Sequence, residues 1–289
     1  MKFGSVGFPE LVDFTLPPDH PETKIILNSN GKGKGLNICV GCAKWNRQDL
    51  KGFYPRGTKD ELAYYSTQFN SIELNATFYN MPVANQVITW RDKTPENFKF
   101  FPKVTGTISH YKWLKGVAEL TDEFCTNISA FESKLGVVFL QLHDNFKFKD
   151  FTHLVRFISE FPSEIPLALE LRNTEWYNNK EISTQLYNCL QEFRVSNIIV
   201  DTAGRRDLLH MRLTTNTAFV RYVGANHPTD YTRLDDWIKR IEKWTAQGLQ
   251  NLYFFVHQNV EKESPLLSAY FISKLNDRFE AQLKVPEMA

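Results

Sequence analysis

No run of about 18 apolar residues occurs in the 289-residue chain, so the sequence offers no membrane-spanning helix. An excess of one charge is also missing. Lys and Arg number 34 against 33 Asp and Glu, a formal net charge of +1, so no global basic field draws the molecule onto nucleic acid and any anion site has to be local. The N-terminus lacks a basic-then-apolar leader, and the cytoplasm is the expected compartment. Cysteine is scarce, at four residues. Cys39 and Cys42 form a C-x-x-C pair, but zinc needs a second ligand pair at comparable spacing, and Cys125 and Cys189 stand far apart. Cys39 falls inside the apolar run "LNICVG", where a free thiol behaves as a small hydrophobe, so the cysteines are expected to be reduced and without metal. Internal repeats and low-complexity tracts are absent as well.

What is present is enough apolar residue, 42%, to fill a large core. Eight extended apolar runs recur along the chain: 36–41, 71–75, 98–104, 135–142, 166–172, 196–201, 218–223 and 251–258. Helix signals lie between them. Thr58 and Glu61 have the spacing of a capping box. Leu234, Trp237, Ile238, Ile241 and Trp244 recur at helical period before Gly248, and Ser264 with Pro265 opens a last helix. The connection 202–217 has the weakest helical pattern.

The stretch "PLALELRNTEWY" (166–177) helps decide how these elements are arranged. Side chains alternate along a strand, so Leu167, Leu169 and Leu171 share one face while Ala168, Glu170 and Arg172 share the other. A doubly wound open sheet gives similar local patterns, but aliphatic outer positions with charged inner ones near the strand end suit a (β/α)₈ barrel. Ile72 and Leu74 against Glu73 and Asn75 repeat the pattern, as do Val220 and Tyr222 against Arg221. The expected architecture is therefore α/β: a single TIM-barrel domain over 36–289, preceded by an irregular Pro-, Gly- and Asn-rich extension over 1–35.

Several blocks carry a resemblance: "GCAKWNRQDLKGFYPRG", "SIELNATFYNMP", "FKFFPKVTGTISHYKWL", "LQL", "LALELRNTEW" and "FVRYVG". Together they resemble the domain of unknown function 72 family, also called YecE-like, across about residues 36–275. The Glu-x-Asn-x-Thr-Phe-Tyr block is the most specific part. The resemblance implies a TIM barrel and no established activity. The chain departs from the family pattern at Ala43-Lys44-Trp45, where members commonly carry Ser-Gly-Trp, and at Asn173, where His commonly follows Glu-x-Arg. The typical His-Gly pair near the seventh strand is also absent, although Gly224 remains.

The C-terminal strand ends would place Lys44, Trp45, Glu73, Asn75, Thr77, Tyr79, Lys103, Gln141, Glu170, Arg172, Asp201, Arg221, His257 and Asn259 around one mouth. His110 joins them because "TISH" matches a family block. Glu73 and Glu170 are the candidate acid and base. Lys103, Arg172 and Arg221 suit a phosphate or carboxylate, and Trp45 and Tyr79 suit a ring. The expected function is an enzyme acting on a small anionic or sugar-containing molecule by acid–base chemistry. No particular cofactor is indicated.

Two alternatives stay open. Glu73, Glu170, Asp201 and His257 form a possible metal set for a hydrolase or isomerase, although no H-x-H or H-E-x-x-H spacing occurs and neighbouring cations would repel an ion. A non-catalytic barrel that binds nucleic acid or a metabolite would use basic loops such as "GKGKG" and "AGRR". A third account needs no site: the acids simply neutralise the bases in a buried ionic network.

Overall fold

The computed structural model describes residues 4–29 and 35–289. Among the described residues, eight strands alternate with helices. In chain order they are α1 (Pro21–Ser29), β1 (Asn37–Cys42), α2 (Glu61–Gln68), β2 (Ser71–Leu74), α3 (Ala76–Tyr79), α4 (Ala84–Asp92), β3 (Lys99–Pro102), α5 (Ala118–Ile128), β4 (Val138–Gln141), α6 (Phe151–Glu160), β5 (Leu167–Glu170), α7 (Glu175–Asn178), α8 (Lys180–Glu192), β6 (Ser196–Thr202), β7 (Thr217–Gly224), α9 (Thr229–Gln247), β8 (Asn251–Gln258) and α10 (Ser264–Phe279). Every expected strand forms, and the connection after β6 contains only a short 3₁₀ segment, Ala203–Leu208. Pro265 sits in the first turn of α10, and Gly248 ends α9 in the left-handed conformation that glycine adopts without a steric cost.

Strands β1-β8-β7-β6-β5-β4 form one six-stranded sheet and β2-β3 a second, all pairs being parallel. Side chains hold β1 to β2. The Asn70 amide accepts from Val40 N at 3.0 Å and donates to Ile38 O at 2.7 Å. The Tyr65 hydroxyl accepts from Cys42 N at 2.7 Å and donates to Ser71 O at 3.1 Å. Gly41 permits this approach, because a Cβ there would meet Ser71 O at 2.2 Å. On the other side of β3, parallel bridges join Phe100 to Leu135 and Lys103 to Phe139.

Two apolar clusters follow from strand alternation. The large one packs the helices against Ile72, Leu74, Leu167, Leu169, Leu171, Val220 and Tyr222, the outer positions expected of these strands. The small inner one is rich in aromatic rings: Phe101, Phe139, Phe219 and Phe255 join Cys39, Val137, Ala168, Ile198 and Val200. Phe101 lies edge-on to Phe219 and Phe255, with centroids 5.8 and 4.8 Å away, a favourable arrangement of ring quadrupoles.

Three expectations need correction. The N-terminal segment is not irregular throughout: α1 lies against α9, and the carboxylate of Asp19 binds Arg240 and the Trp244 indole of α9. Surrounding Pro, Gly and Asn hid this nine-residue helix. The cap of α2 is Asp60, which accepts from Ala63 N at 3.0 Å, while the Thr58 hydroxyl donates to Pro55 O. Asp201 faces the helix layer, since Ile198 and Val200 occupy the inner face of β6 and residue 201 falls opposite them. It is fully buried, accepting from Arg233 at 2.8 Å and Trp237 at 2.7 Å, with Arg206 completing its shell.

The C-x-x-C spacing places Cys39 in the inner cluster and Cys42 in the outer one, because residues three apart on a strand face opposite ways. All four cysteines are free and buried, and burial pushes the thiols of Cys39 and Cys125 up to about 12 and that of Cys189 to about 11. A disulfide-exchange reagent should therefore leave the native protein unlabelled on a minutes timescale and modify four thiols after denaturation; one fast native thiol would contradict the burial. Asp201→Asn should lower unfolding free energy by about 3 kcal/mol in denaturant titration, because it leaves Arg206 and part of Arg233 uncompensated in the core. A change within error would show that those guanidiniums find water or other acceptors.

Candidate functional site

Two residues beyond the inner apolar layer, five strands change chemistry. Phe101 is followed on the same face by Lys103, Phe139 by Gln141, Ala168 by Glu170, Phe219 by Arg221 and Phe255 by His257. Glu73 of β2 points into the same layer.

Arg221 organises this layer. Its Nε and Nη2 donate to Glu73 Oε2 and Oε1 at 2.8 and 2.7 Å, a bidentate fork, and its Nη1 donates to Glu170 Oε2. Glu170 Oε1 accepts from Arg172 Nε at 2.7 Å. Asn75 Nδ2 donates to Glu73 Oε1 at 2.7 Å, and His257 Nε2 lies 3.0 Å from Glu73 Oε2. Both carboxylates are fully buried. Burial opposes their ionisation, but Arg221 and His257 overcome it for Glu73, whose carboxyl is held well below its ordinary range. Arg221 and Arg172 overcome it for Glu170, pulled down to about 2.

Gln141 receives the surplus positive charge. Its single side-chain oxygen accepts from Lys103 Nζ at 3.0 Å, Arg172 Nη2 at 2.9 Å and Arg221 Nη1 at 3.4 Å. The Lys103 ammonium also lies 4.1 Å from the centroid of the Phe78 ring, and no salt bridge ties it to a carboxylate among the described residues. Burial, reinforced by Arg221, lowers the Lys103 amine to about 7. His110 is lowered to about 4 by burial and by Lys103, so it is neutral at physiological pH; its Nδ1 is 2.9 Å from Ser109 Oγ.

Above this layer opens a cavity of about 560 Å³. Among the expected site residues, Lys44, Asn75, Tyr79, Lys103, His110, Gln141, Arg172, Arg221, His257 and Asn259 line it. Glu73 and Glu170 lie behind their arginines. Thr77 is buried, its hydroxyl donating to Leu74 O and Lys103 O, and Trp45 packs edge-on to Trp90, 5.8 Å between centroids. Asp201 belongs to the outer network described above. The possible metal set is therefore split between two faces, and no group of three or more metal-ligating side chains converges among the described residues.

Phe78, His143, Asp144, Gln258 and Glu261 also line the cavity. Phe78 was legible, sitting within the "ATFY" block. His143 and Asp144 follow β4 in a loop with no periodic pattern. Of the basic loops, Arg205 donates to Asp207 and to Arg172 O, and Arg206 to Asp201 and Phe14 O, so "AGRR" is engaged within the fold. Residues 31–34 of "GKGKG" lie outside the described residues.

With this geometry in place, comparison with known proteins is direct. The chain is 27% identical over 252 residues to the UPF0759 protein YecE of Escherichia coli, covering 80% of this chain and 89% of that one. It is 29% identical over 150 residues to the UPF0759 protein YunF of Bacillus subtilis, covering 49% and 52%. Crystal structures of DUF72 family proteins from Thermotoga maritima and Enterococcus faecalis share the fold. Each has a TM-score of 0.70, at 24% and 20% identity, covering 83% and 84% of this chain and 99% of each of those chains. No helix among the described residues is long and apolar enough to cross a membrane. The family profile "Protein of unknown function DUF72" matches residues 39–289, and the chain belongs to that family.

Proposed function

We propose that the two sheets close into one eight-stranded barrel and that its cavity is an enzyme site for a small anionic or sugar-containing molecule, worked by acid–base chemistry. The carrying observation is Gln141 Oε1. Two guanidiniums and the Lys103 nitrogen converge on one neutral oxygen, which offers a dipole and no formal charge to balance them. A phosphate or carboxylate above Gln141 would meet these groups where they line the cavity, and guanidinium forks recognise such anions bidentately.

In this reading Glu73 and Glu170 position other groups. Ionised and enclosed, they fix the Arg221 fork. Ionised Glu73 only accepts, so His257 holds its proton on Nε2 and keeps Nδ1 to take a proton in the cavity. Phe78 and exposed Tyr79, rather than Trp45, offer ring faces to a substrate.

Arg172→Gln is expected to lower the melting temperature only modestly, because Glu170 retains Arg221, yet to abolish the stabilisation that phosphate, sulfate or a phosphorylated compound gives the parent. Thermal-shift titrations of both proteins read this. No anion effect on the parent, with severe destabilisation of the variant by about 3–5 kcal/mol, would mark the cluster as a structural ion network. Lys103→Met tests the amine. Between about 7 and the ordinary 10.5 the unfolded chain binds a proton that the folded chain lacks at Lys103, so this residue makes parent stability rise with pH across that window. The variant should match or exceed the parent in stability at pH 7, and its advantage should shrink toward pH 10. A difference independent of pH between 7 and 10 would contradict the lowered amine.

A further inference from the structure

We propose that Lys103 is a nucleophilic amine that forms an imine with the carbonyl carbon of an anionic aldehyde or ketone. This rests on the anion site argued above and narrows its substrate class.

The geometry sets Lys103 apart from a plain electrostatic contact. The residue follows β3 directly, pinned by its bridge to Phe139 and by its carbonyl, which accepts from Thr77 at 2.6 Å. The residue is 7% exposed, yet it lines the cavity. The charged groups around it pull in both directions: Arg221 and Arg172 disfavour the ammonium, while Glu170 and Glu73 favour it but are already engaged by those arginines. An amine beside other cations and away from water is the arrangement that activates lysine as a nucleophile. Such an amine presents more free base at neutral pH than an ordinary lysine, whose ammonium is stabilised by water.

Substrate placement follows from the neighbours. An anionic group held by Arg172 and Arg221 would bring the carbonyl a few atoms away to Nζ, which shares Gln141 Oε1 with both. The Nζ lone pair forms the C–N bond while the carbonyl π pair moves to oxygen. That oxygen takes one proton from the nitrogen and a second from a cavity imidazolium. It leaves as water, and the resulting iminium keeps the other nitrogen-bound hydrogen. No oxidant or reductant is consumed. His257 lines the cavity and delivers that proton from Nδ1, which lies 3.9 Å from the Glu261 carboxylate.

The test is borohydride trapping. Full-length protein at pH 7 is incubated with pyruvate or dihydroxyacetone phosphate, reduced with sodium borohydride and mapped by peptide mass spectrometry, with acetone as an uncharged control. The expected result is a reduced adduct concentrated on Lys103, formed with the two anions but not with acetone, and suppressed by excess inorganic phosphate. Mapping the parent reads the site directly, so no substitution has to fold; Arg172→Gln supplies a second arm and should lose the adduct while keeping its amine. Labelling spread evenly over surface lysines, or an adduct insensitive to phosphate, overturns the proposal. No Lys103 adduct from a protein that phosphate still stabilises rejects the imine and leaves the anion site standing. Absence of both the adduct and the phosphate stabilisation rejects the two together.

Discussion

Arg221 is the side chain on which the interior of this protein depends. It inserts a guanidinium between two carboxylates, Glu73 of β2 and Glu170 of β5, that are themselves fully buried. Removing water from three charges is expensive, and the arrangement survives because nearly every donor and acceptor is met at short range. The constraint reaches across the fold. Glu73 lies on the two-stranded sheet and Arg221 and Glu170 on the six-stranded one, so one ion pair network ties the two sheets together at the layer where the aromatic core ends.

Chemistry above that layer inherits its charge. Two carboxylates engaged by arginines behind the cavity leave Arg172, Lys103 and Arg221 lining it. Gln141 gathers these donors without cancelling their charge, since an amide oxygen offers a dipole and no formal charge. The same layer orients His257 through Glu73. A stability network and a cavity lining are thus two sides of one set of residues. That explains why conservative changes behind the cavity, such as Glu73→Gln, should disturb the cations in front of it.

A second buried cluster shows what a purely structural network looks like here. Asp201 binds Arg233, Arg206 and Trp237 within the helix layer, and Arg233 also pairs with Asp230 at 3.0 Å. Its charges face one another and the Phe14 and Tyr222 rings, lying 4.3 and 4.4 Å from the Arg233 guanidinium. None of its members lines the 560 Å³ cavity. The contrast between Asp201 and Glu170, both acids near strand ends, is one of parity: one residue's shift along a strand moves a side chain from the mouth to the helix layer.

The eight strands were legible because apolar runs of strand length separated by helical periods mark buried parallel strands, and alternation along 167–172 named the inner face. With Ile198 and Val200 inward, the same alternation puts Asp201 on the outer face, not at the mouth where its place at a strand end suggested. Helix α1 was hidden because nine residues between Pro- and Gly-rich segments carry too little period to register, and its place is set by Asp19 meeting α9, more than two hundred residues away. The sequence by itself determined which side chains share a face of each strand, since a strand's period of two is a local property of the backbone. Only the tertiary structure decided which of the inward charges neutralise one another and which are left facing the cavity. That depends on distances between strands remote in sequence, such as the 2.8 Å from Arg221 Nε to Glu73, and no local pattern encodes them.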